Sequence, residues 1–498
     1  MSKKKINYSF CEEYLIEELG YKTLVMACKD HDKIIKKSVS DISLAIGDIV
    51  ENSDENFKID EGGCIYIFNG TYYDGITPDE FKIFLNRVLR RLFPNSSGLA
   101  MYAEHHSKFF MEQAIDRLMG SYSCRYEPDR SYIIFNNGVF SLEKGVLVEP
   151  DKKICTDIVI DFDYDPTAKS VLFNKFFNEI MPSDEMQHVI FQTMGACFVN
   201  RREVDLQYCF YWLGTGSNGK SVLADLFIAT LGRDNAEVFS MEDLFKSSTK
   251  AYNIAKCDGA IVNVCSDASK TDTSGGDYKK FVGGEEMPAR YPYGKPFKAT
   301  RIPLLFVLAN AMPITTDSTE GHHRRTLPFM FGVTITEDKQ DRQLKDKILK
   351  DNGRAALFNL IYRGYTQLKA NKYKFDKALE ISELQSIIRM DTNSVSRWIR
   401  DRRYAPDNKN GEKMIAKELL EDYRKYCNED ERMPPNSPKA FYSELQSLGF
   451  TRKRVSYGHV YKIKVLDRGI GQEPETLDEE YAEMLAVSSS VNEEDMPF

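Results

Sequence analysis

The run Gly214-Thr215-Gly216-Ser217-Asn218-Gly219-Lys220-Ser221 constrains this chain more than any other stretch of it. It fits the pattern GxxxxGKS, and its flanks are the ones that pattern needs. A largely apolar run, Leu206 to Leu213, broken only by Gln207, precedes it as a predicted buried strand, and Val222–Leu231 follows as a helix closed by Gly232. Glycines in such a loop let the backbone curl until its N–H groups and the next helix N-terminus face an anion. A lysine at the position of Lys220 reaches terminal phosphates, and the Ser221 hydroxyl offers a ligand to Mg²⁺. The expectation is a nucleoside triphosphate site made by Gly214, Gly216, Ser217, Asn218, Gly219, Lys220 and Ser221.

Binding alone is not hydrolysis, so the remaining groups must be sought downstream. Residues 206–333 alternate strand and helix patterns, as an α/β nucleotide-binding sheet does. The apolar run Ala260–Cys265 ends in Ser266-Asp267, where a carboxylate beside the loop can hold Mg²⁺ or orient the attacking water. A second run, Leu304–Ala309, ends in Asn310, whose amide can bond both water and γ-phosphate. Arg324-Arg325 then stands just before the apolar run Leu327–Phe331 and would supply charge to the transition state.

The bulk figures fit a multidomain globular protein. The chain has 498 residues, 42% hydrophobic and 29% charged, enough for three or four domains. No apolar run approaches the roughly 18 residues that span a bilayer, which sets the expectation of a soluble protein of the cytoplasm. Ten cysteines lie scattered without a CxxC pair, which predicts buried free thiols and no structural metal. The net charge of −8 is unevenly placed. Nine acidic residues and no Lys or Arg fall between Gly471 and Phe498, so residues 1–470 carry about +1. Within them, Asp391–Val465 holds 16 Lys+Arg against 11 Asp+Glu, a basic module ahead of an acidic tail.

Taken in order, these motifs resemble the superfamily 3 helicases of the phage, plasmid and large-DNA-virus primase–helicase type. The matching residues are the loop at 214–221, Asp267, Tyr278-Lys279-Lys280-Phe281-Val282-Gly283-Gly284-Glu285, Ala289-Arg290, Ala309-Asn310-Ala311-Met312-Pro313, Arg324-Arg325 and Leu327-Pro328-Phe329. Upstream, Phe135–Phe140 and Asp163-Tyr164-Asp165-Pro166 fit the region before the ATPase; downstream, Phe441–Phe450 and Gly458–Val465 fit a C-terminal winged helix. The resemblance covers about residues 115–465. It implies an α/β fold with an AAA+-like P-loop ATPase core, a helical and mixed N-terminal region and a C-terminal winged-helix domain. The implied division is a small mixed domain at 1–115, a pre-ATPase region at 116–200, the ATPase at 201–335, a helical extension at 336–390, the winged helix at 391–465 and an acidic tail at 466–498.

The same resemblance implies a homo-hexameric ring that hydrolyses ATP with Mg²⁺ between subunits and moves 3′ to 5′ on single-stranded DNA, in the cytoplasm of a bacterial host. Either arginine of the pair could act in trans; spacing to Phe331 favours Arg325. A single Asp267 stands where relatives carry Glu or paired acids. Arg290–Lys298 reads as a hairpin tipped by Gly294-Lys295, the counterpart of a hairpin that grips DNA in the pore; Lys295, Lys298, Lys279 and Tyr293 are its candidate contacts. In the basic module, Met414–Tyr426 and Lys439–Leu448 are expected helices, and Arg452-Lys453-Arg454 opens a strand pair that turns at Tyr457-Gly458. The last residues, Asp495-Met496-Pro497-Phe498, resemble the tip by which bacterial single-stranded-DNA-binding proteins dock on host replication partners.

Two other functions share some of these features. Ile158–Asp163 fits the hhhDhD pattern of primase carboxylates, with Asp161 and Asp163 on one strand face, which would make a bifunctional primase–helicase. A DNA-binding replication adaptor would use the nucleotide only as a switch.

Overall fold

The computed structural model describes residues 57–60, 65–76, 80–81, 83–84, 87, 126–266, 275–292, 294–310, 312, 324–392, 394–407, 411–429, 435, 437–456 and 458–465. They fall into two units, Met1–Asp165 and Pro166–Phe498.

Among its described residues, the first unit holds two small antiparallel sheets. In one, β1 (Phe57–Ile59), β2 (Ile65–Phe68) and β3 (Tyr73–Ile76) pair in sequence order. Asn69-Gly70 starts the β2–β3 turn as its sequence predicts: Gly70 sits at φ +100° and Asn69 Oδ1 accepts the N–H groups of Thr71 and Tyr72. Phe57, Ile65, Ile67, Phe81 and Phe84 are fully buried around this sheet. The second sheet orders β4 (Tyr132–Phe135), β5 (Gly138–Ser141) and β6 (Val146–Val148). Ile158 and Ile160 exchange backbone bonds with Ile134 and are buried. The chain then bends at Asp161, and both Asp161 and Asp163 are exposed. Asn136 N–H, just past β4, donates to Phe162 C=O at 3.1 Å, so the backbone stays paired between the two acids.

The second unit is built on a five-stranded parallel sheet. Its strands are β7 (Cys209–Leu213), β8 (Ala236–Glu237), β9 (Val262–Cys265), β12 (Leu304–Ala309) and β13 (Thr326–Met330), in spatial order β13-β7-β12-β9-β8. Every residue of β7, β9 and β12 is buried, as expected of parallel strands covered on both faces. One face packs Phe306 against Phe210, Trp212 and, from the helix Lys220–Leu231, Phe227, with ring centroids 4.8, 5.7 and 5.2 Å away. The other face buries Cys209, Tyr211, Cys265 and Val307 against helices that include Leu244, Ile254, Phe281 and Leu384. The described cysteines are free, and all but Cys155 are buried.

Strand β13 is an edge strand. Arg325 C=O accepts from Cys209 N–H and Phe331 N–H donates to Leu213 C=O, so odd-numbered residues bond inward to β7. Pro328 is even-numbered, so its missing N–H falls on the open edge where no ladder bond is lost. From Pro296 to Ala299, β11 pairs antiparallel with β10 (Met287–Arg290) as a separate hairpin, as the sequence predicts.

C-terminal to this core, the helices Ser394–Asp401, Ala416–Glu429 and Pro438–Ser447 pack on a small antiparallel sheet. Its central strand, β17 (Gly458–Val465), pairs with β14 (Tyr404–Pro406), β15 (Glu412–Ile415) and β16 (Arg452–Val455). Trp398, Tyr423, Phe441 and Tyr461 are fully buried between the layers. Met414 belongs to β15, not to the helix expected to begin with it. Its pairing with Tyr461 extends the sheet, and the helix starts two residues later.

Candidate nucleotide-binding site

The loop after β7 adopts the conformation its glycines allow. Gly216 and Gly219 sit at φ +116° and +78°, and Ser217 shares the left-handed region at +48°. A Cβ on Gly219 would lie 2.5 Å from Ile180 Cγ2, and one on Gly214 would lie 2.7 Å from the Phe331 carbonyl oxygen. Asn218, 2% exposed, links three parts of the site. Its Nδ2 donates to Phe331 O (3.2 Å), and its Oδ1 accepts from Lys220 Nζ (3.3 Å). Lys220 Nζ also donates to Gly214 O at 2.7 Å, and burial lowers the pKa of the amine.

This loop lines a cavity of about 690 Å³, within the range of small-molecule sites. Gly216 to Val222, Ser266, Leu308, Ala309 and Asn310 form one side. The structure therefore brings together Gly216, Ser217, Asn218, Gly219, Lys220, Ser221 and Asn310. Gly214 packs at the loop's root, its N–H bonded to Ala309 O. Asp267 follows the cavity residue Ser266 but lies outside the described residues.

The opposite wall is one that motif reading misses. Phe176 and Glu179 come from the helix Val171–Ile180, and Ile335, Lys339, Asp341, Arg342 and Lys345 from the segment after β13. Ile335 N–H donates to Ser217 O at 2.7 Å, and Lys345 pairs with Asp225 of the loop's own helix at 2.8 Å. Four cations, Lys220, Lys339, Arg342 and Lys345, line this cavity with two carboxylates, Glu179 and Asp341, Lys345 being paired with Asp225. The excess suits a polyanionic ligand at a helix N-terminus. No local motif flags residues 335–345, because their role comes from folding back over a loop more than a hundred residues earlier.

Arg324 and Arg325 lie elsewhere. Register pairs Thr326 with Cys209 and Met330 with Leu213, so the arginines sit at the N-terminal end of the sheet and the loop at its C-terminal end. At about 3.3 Å per residue, the six steps from Arg325 to Phe331 separate them by about 20 Å. They cannot serve the cavity of their own chain.

The candidate DNA contacts divide in the same way. Lys295 is exposed in the turn of the β10–β11 hairpin, and exposed Lys298 pairs with Glu286 at 3.2 Å, a contact worth at most about 1 kcal/mol at such exposure. Stacked Tyr291 and Phe297 (5.2 Å) brace the hairpin, and Arg290 Nε donates to Gly294 O. Lys279 is half-buried on the helix Gly276–Gly283. Arg452, Lys453 and Arg454 are exposed on β16, with Arg452 over the Tyr442 ring at 5.0 Å. Tyr293, and Asp495, Met496, Pro497 and Phe498 of the tail, lie outside the described residues.

A GxxxxGKS loop at the C-terminal end of a five-stranded parallel sheet defines a P-loop-like α/β core. Residues 96–182 match the family described as D5 N terminal like, and residues 212–325 match a family of unknown function, DUF5906. A protein of Acanthamoeba polyphaga mimivirus named "Putative helicase L207/L206" is 30% identical over 245 residues, covering 45% of this chain and 24% of that one. The chain thus spans about a quarter of that relative's length. These matches bear out the resemblance to the superfamily 3 helicases of phages and large DNA viruses. Among solved structures, two of the apo C-terminal region of NrS-1 align over 82% of this chain and 96% of theirs, at 11% and 10% identity and a TM-score of 0.46 each. No described helix is long and apolar enough to cross a membrane.

Proposed function

We propose that this chain is an ATP-hydrolysing DNA helicase for replication of a phage or mobile element. On this reading it is an AAA+-like ring, a homo-hexamer that moves on single-stranded DNA, in the 3′ to 5′ direction by resemblance, inside a bacterial host. The observation that carries it is the cavity at the end of β7, where the phosphate loop, Asn310 and a surplus of cations meet. Lys220 would hold the β- and γ-phosphates, Ser221 and Asp267 would hold Mg²⁺, and Asp267 with Asn310 would set the attacking water in line. Mg²⁺ would supply Lewis-acid charge stabilisation there. One arginine of the pair, about 20 Å from its own cavity by strand rise, would act on a neighbouring subunit's nucleotide. Hydrolysis between subunits would then drive the hairpin at Lys295 and Lys298 along the strand. The C-terminal module, read as a winged helix, would hold DNA through Arg452, Lys453 and Arg454, and the tail tip would dock on host replication proteins.

The test is ATP hydrolysis and strand displacement by the full-length protein on tailed duplexes of both polarities. The expected result is hydrolysis stimulated by single-stranded DNA, unwinding from one tail only, and loss of both in Lys220→Ala. ATP turnover without unwinding at any loading geometry sinks the helicase reading, and hydrolysis retained in Lys220→Ala sinks the site assignment.

A further inference from the structure

The two arginines at the start of β13 are neighbours in sequence but not equivalent in structure. Arg324 is exposed in the turn that enters the strand. Arg325 is half-buried, and its Nε is shielded from solvent. Its carbonyl accepts from Cys209 N–H at 2.7 Å, which locks its backbone to β7. Its charge acts weakly on the hydroxyl of Tyr278, a fully enclosed side chain whose oxygen lies 3.2 Å from that of Tyr211, as that of Arg324 acts on half-buried Tyr208.

A second anchor follows at once. The carbonyl of buried Thr326 faces the open side of the edge strand, where Gln385 Nε2 donates to it at 2.9 Å. Gln385 belongs to the helix Leu379–Thr392, which buries Leu384 and Ile388 in the ATPase core. The backbone entering β13 is therefore held on both sides, by Cys209 on the sheet side and Gln385 on the edge side.

A cation that serves another subunit must leave its own surface and meet a phosphate there. A guanidinium settled against its own core would have to give up that environment in every cycle, whereas exposed Arg324 gives up water and a coulombic interaction with half-buried Tyr208. Resting on the reading that ATP is hydrolysed between subunits, we propose that Arg324 is the catalytic cation offered to the neighbour's γ-phosphate, and that Arg325 and Gln385 are positioning residues that fix the turn from which it projects.

The experiment uses full-length protein with single-stranded DNA, following ATP turnover and thermal melting. Arg324→Ala and Arg324→Lys each lower kcat by about 10³-fold or more, the effect expected of a trans-acting arginine. Their melting temperature and KM stay at the wild-type values, since Arg324 is exposed. Arg325→Lys keeps the buried charge and holds kcat within about threefold, whereas Arg325→Met and Gln385→Met each lower kcat about tenfold at unchanged KM. Mixing Arg324→Ala with Lys220→Ala restores turnover above either alone, because some interfaces then join an intact phosphate loop to an intact Arg324. The assignment is overturned if Arg324→Ala turns over like wild type while Arg325→Lys is dead, or if the mixture gives no more than the sum of its parts. Wild-type protein that shows no DNA-stimulated turnover would overturn the underlying functional reading instead.

Discussion

Lys220 is buried within hydrogen-bonding distance of the carbonyls of Gly214 and Asn218, and desolvation pulls its pKa below the ordinary 10.5. Protonation of this amine therefore opposes folding. Between the lowered native value and the unfolded one the unfolded chain binds more protons, so this group's contribution to stability rises with pH through that window. Triphosphate beside the amine favours its charged form and raises the value again. At this amine, nucleotide binding should then take up a proton in the alkaline range between its lowered value and 10.5. Calorimetry in two buffers of different ionisation enthalpy measures this directly. A buffer-independent heat in that alkaline range, or an uptake unchanged in Lys220→Met, would refute it. The loop was legible in the sequence because each conserved-type position of GxxxxGKS has a local mechanical reason. The job of Asn218 was not, because its partner Phe331 lies 113 residues away.

Two helices owe their contact to paired glycines. In Asp184–Gly195, a Cβ on Gly195 would lie 2.6 Å from Ile361 O; in Gly353–Ala370, one on Gly364 would lie 2.8 Å from Gln192 N. Both clashes are with backbone, which cannot swing aside as a side chain can. Alanine is the better helix former by about 1 kcal/mol, so on propensity alone Gly364→Ala should stabilise. The expected outcome is the reverse, a loss of about 1–3 kcal/mol as the helices are forced apart, read as a lower denaturant midpoint; a raised midpoint would disprove the close-contact account. Long elements with one clear period were legible at this scale: β12 and the helix Val171–Ile180 fall where their apolar patterns place them. The two-residue β8 and the Met414 strand were not, since each exists only through pairing with a distant strand.

For the whole molecule, the net charge of −8 is the sum of a −9 tail and a nearly neutral body, and the body displays cations on β16. If that strand carries single-stranded DNA, its contribution must appear as released counterions, with a log–log salt slope of about −0.7 per neutralised phosphate. Arg452 is a poor probe, because its guanidinium lies over the Tyr442 ring and removing it would also disturb the module's packing. Lys453 and Arg454 pair across from Val460 and His459 with their side chains exposed, so their truncation leaves the core intact. The double variant Lys453→Ala/Arg454→Ala should flatten the salt slope by about 1.4 while leaving melting temperature and DNA-free ATP turnover at wild-type values. An unchanged slope, together with a flatter one in Lys295→Ala, would move the DNA path to the β10–β11 hairpin alone. The C-terminal module would then keep its helices and sheet but lose its proposed part in holding the strand.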